Sequence, residues 1–137
     1  MLTPTSDLSE SLVSACRTAV GDDLRSLVYF TPDTFEVLYT RSDLYADDER
    51  ERAVRAVFVE NERSGFDVEP LYTELSAEGG AEPALGEYEF TIRVFEDGFV
   101  TRVIVGDHGV LTTTDGLDVD AFKEVSVTVR KLLAGVA

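Results

Sequence analysis

A chain of 137 residues holds one domain, and 44% hydrophobic residues, with eight Phe and five Tyr, predict a packed core rather than disorder. Its 27 Asp and Glu against 12 Lys and Arg give a net charge of −15, which argues against nucleic acid and anionic lipid as direct ligands. A single cysteine, Cys16, excludes an intrachain disulfide and a cysteine-based zinc cluster.

The acidic residues are spread along the whole chain, and only Lys123 and Lys131 among the basic residues are lysines. Molar salt screens charges within a few ångströms, so a strongly anionic surface stays soluble there at tolerable cost. The pattern predicts a salt-adapted protein of a halophile rather than an acidic DNA mimic or a chaperone for basic clients. MLTPTSDLSE at the N-terminus has neither the basic nor the apolar segment of a signal peptide. No apolar run approaches the ~20 residues that span a bilayer, so the expected location is cytoplasmic.

The first predicted element is a helix capped by Ser6 or Asp7, with Leu8, Leu12, Val13, Cys16 and Val20 at helical spacing and Gly21 as its stop. Cys16 lies on the apolar stripe and reads as a buried, inert thiol. Two strands follow, Leu24 to Phe30 and Thr34 to Thr40, joined by the turn residues Thr31, Pro32 and Asp33. A second helix spans about Asp47 to Arg63, with Ala53, Val54, Val57 and Phe58 as its buried stripe and alternating Glu and Arg on a wet face. Residues 64 to 86, broken by Pro70, Gly79, Gly80 and Pro83, read as a long irregular loop.

Glu87 to Val105 reads as a hairpin around Asp97-Gly98. That turn pairs Glu96 with Phe99 and sets Arg93 directly across from Arg102, with Phe95 across from Val100 on the same face. Turn residues 106 to 109 lead to a short fifth strand, Val110 to Thr114. A last helix starts near Asp118 with Val119, Phe122, Val125, Val129 and Leu132 at intervals of three and four. The expected class is α+β, a five-stranded antiparallel sheet with three helices in the order α-β-β-α-β-β-β-α, in one domain over residues 1–137.

Chemistry-bearing motifs are scarce. No nucleotide-binding glycine loop and no nucleophile elbow is present. His108, the sole histidine, reads as an exposed turn residue. Asp115, Asp118, Asp120 and Glu124 come nearest to a cation site, but their spacing misses the calcium-loop pattern and caps explain them. No catalytic residue, metal or cofactor is therefore expected. Arg93 and Arg102 are the more specific feature, because two facing guanidinium groups need an anion between them. An acid from a helix, or Glu89 diagonally along the face, supplies it in one reading. In the other, a small anion or a partner's carboxylate is held by both arginines, with Phe95 in its apolar surround.

SACRTAVGD, LRSLVYFTPDTFEVLY, YEFTIRVFEDGFVTRV and GVLTTTDGL with the last helix resemble a family of small uncharacterised haloarchaeal proteins over about Leu12 to Leu133. The resemblance implies no activity. The element order is also similar to the roadblock and profilin-like superfold, in which the first and last helices cover one sheet face and the middle helix the other. Roadblock proteins dimerise and act as platforms for small GTPases and their regulators, which implies a dimer surface at the middle helix and third strand. The leading expectation is a non-enzymatic, homodimeric adaptor with a protein partner, which requires an exposed apolar patch on an edge or helix. The alternative is a small-ligand anion sensor, which requires an enclosed pocket containing Arg93 and Arg102.

Overall fold

The side chain of Thr5 accepts a hydrogen bond from the Leu8 amide at 3.1 Å and so opens the first helix, α1 (Ser6–Val20), one residue before the expected cap. Leu8, Leu12 and Cys16 recur every four residues along α1 and are buried. The chain is seen here as a computed structural model that describes residues 5–44, 47–77 and 87–136. After a short 3-10 turn, Gly21–Asp23, come β1 (Leu24–Phe30), β2 (Phe35–Thr40) and the helix α2 (Asp48–Glu62). A further helix α3 (Gly65–Ala77) precedes β3 (Thr91–Phe95), β4 (Gly98–Val105), β5 (His108–Thr114) and α4 (Val119–Ala134).

The α+β class and the five-stranded antiparallel sheet are as expected, with strand order β2-β1-β5-β4-β3. α3 is an addition, because residues 65–77 are helical where an irregular loop was expected. Of the breakers that suggested a loop, Pro70 lies inside this helix. Gly65 opens the helix, where a breaker is tolerated, and Pro70 forfeits one hydrogen bond while its neighbours keep theirs. The rest of the expected loop, residues 78–86, lies outside the described residues.

Two cores lie on opposite faces of the sheet. Leu27, Tyr29, Val103 and Val110 pack under α1 and α4, which meet through Leu12, Cys16, Phe122, Val129 and Leu133. Val28, Phe30, Val100 and Leu111 face the other way, toward Val59 of α2 and Phe66 of α3. Among the described residues the first core holds twelve buried side chains and the second five, so α2 and α3 cover their face thinly.

The β3–β4 hairpin differs from expectation by a slip of two residues. Phe95 pairs with Gly98 across a two-residue turn, Glu96 and Asp97, so Arg93 faces Val100 and Arg102 faces Thr91. A slip of two keeps every side chain on its face. Gly98 sits in the strand rather than in the turn because β5 approaches it closely. A Cβ added there would stand 2.8 Å from the Thr114 carbonyl oxygen. His108 is likewise a strand residue, because Val105 pairs with it across Gly106 and Asp107. It is buried, not exposed, and its Nδ1 lies 2.6 Å from the Tyr29 hydroxyl.

Gly98→Ala should therefore push β5 away from β4 and lower stability by about 1–3 kcal/mol, the usual cost of overpacking. Chemical unfolding in molar KCl measures it, and an unchanged midpoint would remove the close-approach explanation.

Candidate functional site

Asp47 caps α2 by accepting from the Arg50 amide at 2.7 Å, and acids crowd the first turn. The helix then turns a charged face inward. Arg55, Val59 and Glu62 are buried, whereas Ala53, Ala56 and Val57 are exposed, Val57 by 64%. At 3.6 residues per turn, Arg55 and Glu62 share one side of the helix and Val57 stands about 200° round from Arg55. The expected apolar stripe of Ala53, Val54, Val57 and Phe58 is thus largely overturned. Only Val54 and Phe58 are half-buried.

The sheet explains the inversion. Arg102 of β4 is buried and Arg93 of β3 lies diagonally beside it on the same face. Glu62 bridges them. Arg93 donates from Nε to Glu62 Oε2 at 2.6 Å and from Nη2 to Oε1 at 3.2 Å. Arg102 donates from Nη1 to the same Oε1 at 2.9 Å and to the Glu62 carbonyl at 3.3 Å. Its Nη2 donates to Thr91 Oγ1 at 3.1 Å and to Glu69 of α3. Had α2 turned Val57 inward instead, Arg102 would have lost its principal counter-ion.

Gly65 makes the α2–α3 elbow possible. A Cβ there would stand 2.7 Å from Arg102 Cζ and 2.5 Å from Ile104 Cδ1, so a side chain would lift the elbow off the guanidinium. Burial pushes the Glu69 carboxyl above its ordinary value, against the pull of the Tyr88 hydroxyl and Arg102.

Of the four expected site residues, the structure brings Arg93 and Arg102 together at Glu62. Glu89 is elsewhere, 3.3 Å from Arg130 of α4, in the stretch that precedes β3. There Phe90 packs edge-on against Phe122. Phe95 ends β3 and is half exposed. Sequence reasoning expected an acid from a helix between Arg93 and Arg102, which Glu62 is, but it named neither Glu62 nor Glu69 nor Arg55. The only available signal was their spacing, since residues 55, 59, 62 and 69 follow helical intervals once α3 is admitted.

The other candidate acids have local partners. Asp115 accepts from Arg41 at 2.5 Å and Arg25 at 2.8 Å, and both hold its carboxyl below the ordinary range. Asp118 caps α4. Among the described residues no group of three or more His, Cys, Asp or Glu is arranged to hold a metal ion. Burial pushes the Cys16 thiol up to about 12, far from a reactive thiolate. No helix among the described residues is long and apolar enough to cross a membrane.

Two surface features remain. Among the described strands β3 pairs with β4 alone, and no described strand pairs with its other edge, where Val94 is exposed by 72% and Phe95 by 51%. A cavity of about 440 Å³ opens beside it, walled by Phe58, Phe95, Phe99, Val100, Arg25 and Arg55. Neither Arg93 nor Arg102 lines it.

Residues 10–134 match the profile of a family described as Domain of unknown function (DUF7522). No curated protein sequence matches the chain. Among solved structures, MglB of Myxococcus xanthus is similar over 100% of this chain and 97% of its own, with a TM-score of 0.53 and 10% identity. At that identity the likeness establishes the roadblock-like fold and nothing more.

Removing Glu62 and removing Arg93 should have unequal effects. Glu62→Ala leaves the buried Arg102 with Glu69 as its remaining described carboxylate and should cost about 1–3 kcal/mol, whereas Arg93→Ala, at a half-exposed side chain, should cost less than about 1 kcal/mol. Equal losses in denaturant unfolding would show that Glu62 is not the common anchor. Glu69 generates a pH prediction. Its folded value lies above the unfolded 4.5, so as pH rises through that interval the unfolded chain loses its proton first and stability falls. Glu69→Gln should flatten this decline in a pH series of unfolding midpoints.

Proposed function

The protein belongs to the DUF7522 family, and we propose that it is a non-enzymatic interaction module that pairs with a second copy of itself and carries a further protein partner. The observation that carries this reading is the inverted helix α2 beside an open strand edge. Burying Arg55 and Glu62 while leaving Ala53, Ala56 and Val57 outside is costly for an isolated chain and sensible if a partner covers the outer face. Small residues there permit close helix approach. The Glu62–Arg93 ion pair ties that helix to β3, so the two elements present one surface.

The edge strand supports the same surface. An open edge with two large apolar side chains invites another strand unless it is covered. A second copy can supply one by antiparallel addition of β3 to β3, which extends the sheet across a two-fold axis. The roadblock likeness favours the same pair of elements and suggests a small GTPase or its regulator as the further partner. Arg93 and Phe95 then serve as contact residues at the rim, Arg102 supports them from beneath, and Glu89 is a surface ion-pair residue.

The acidic, lysine-poor composition favours the cytoplasm of a halophile as the setting. Light scattering on the full chain in molar KCl tests the pairing. We expect twice the mass of the 15.1 kDa chain, with Val57→Asp plus Val94→Asp weakening the dimer at least about tenfold while circular dichroism stays unchanged. A monomer at high concentration, or a dimer indifferent to both substitutions, would sink the proposed surface. The same run in dilute buffer reads the salt adaptation through loss of the compact state.

A further inference from the structure

The sheet has a second edge, β2, far from the pairing surface at β3. We propose that this edge takes an extended, acidic segment of a partner protein as an added strand. The site rests on the reading of the chain as an interaction module and gives its further partner a place. Among the described strands β2 pairs with β1 alone. An unpaired edge presents backbone donors and acceptors to an extended chain, and the side chains around it select which chain fits.

The selecting groups are two arginines. Arg25, Arg41, Arg63, Arg93, Arg102 and Arg130 each have a described carboxylate partner. Arg17 and Arg52 have none among the described side chains, in a chain with 27 Asp and Glu. They lie instead over aromatic rings of β2. Arg17 Cζ of α1 is 5.0 Å from the centre of the Tyr39 ring, and Arg52 Cζ of α2 is 4.4 Å from that of Phe35. Both arginines are exposed. A guanidinium held over a ring keeps donors for a carboxylate, and the ring limits the freedom lost when one arrives.

The two arginines stand on opposite faces of the sheet. Phe35 and Val37 pack with the core under α2, whereas Leu38 and Tyr39 pack with the core under α1. The β1–β2 register shifts between Leu27 and Val28, so β1 spans this stretch with Phe30 opposite Phe35 and Leu27 opposite Tyr39, three positions apart. A regular strand laid along the outer edge needs carboxylates at the same odd spacing, which puts one on each face. Glu36 is exposed between Phe35 and Val37 and repels a carboxylate at its own level, which favours the position beside Tyr39. A second copy of β2 is the poorer occupant. Its one carboxylate, Glu36, serves one face and leaves the arginine on the other without a partner.

A rhodamine-labelled peptide of alternating valine and threonine, with two glutamates three positions apart, tests the site by fluorescence anisotropy on the full chain in molar KCl. We expect saturable binding. The peptide with glutamines in place of the glutamates, and one with the glutamates two positions apart on a single face, should each bind at least about threefold more weakly. Arg17→Gln plus Arg52→Gln, with folding checked by circular dichroism, should weaken the first peptide to the level of the glutamine peptide. No saturable binding, equal binding of the three peptides, or undiminished binding to the folded double variant overturns the proposal. Should that variant fail to fold, the comparison of the three peptides decides alone. Light scattering reads the pairing separately. A monomer that binds the peptide sinks the dimer surface and leaves the β2 site standing, and a dimer that does not bind it does the reverse.

Discussion

The carboxylate of Glu62 joins elements that would otherwise have little reason to meet. It accepts from Arg93 on the edge strand and from Arg102 on the neighbouring strand, and its carbonyl takes a further hydrogen bond from Arg102. A buried carboxylate is expensive to desolvate, and only close, multiple charge-assisted hydrogen bonds offset that cost. Such a group fixes geometry more than it adds stability. Here it sets the rotation of α2 about its own axis, and through the Gly65 elbow and Glu69 it sets where α3 lies. The rotation then decides that Arg55 faces the sheet and Val57 faces out.

The remaining fold follows a different logic on its other face. α1 and α4 show the ordinary pattern of apolar residues every three or four positions, and they bury against alternating strand residues without a charged intermediary. That face was readable from the sequence because hydrophobic burial obeys local periodicity. The limits of β1 and the sides on which Arg93 and Arg102 lie were legible for the same reason, and the α4 cap at Asp118 from its residue type. The second face was not, because α2 is decided by a long-range charge pairing 31 and 40 residues away. A helix with Ala53, Val57 and Phe58 reads apolar-inward because the sequence, which shows that the two arginines need an anion, does not say which helix supplies it.

The smaller misreadings share a physical cause. Asp97-Gly98 has the composition of a tight turn, yet Gly98 serves the close approach of the Thr114 carbonyl, so the turn moves back to Glu96 and Asp97. Gly65 reads as a stop after α2, while the structure uses it for the close approach of Arg102. In each case a residue chosen for lack of a side chain was read as one chosen for backbone freedom. Nothing in a single sequence separates those two uses of glycine, since both depend on what lies opposite in space.

The charge of −15 bears on all of this through screening. Solvent-exposed pairs such as Arg63 with Glu60 weaken as salt rises, whereas a network buried between helix and sheet is reached by few ions. If the proposed halophile setting holds, the chain gains from placing its architectural ion pairs inside and spending its surface carboxylates on hydration. The same choice exposes what would otherwise be core. Moving charge inward along α2 leaves alanine and valine outside, beside an open strand edge, and high salt strengthens the association of apolar surface. In molar salt the proposed pairing through the inverted helix and the β3 edge would be more favourable than in dilute buffer, where repulsion between two anionic copies opposes their approach.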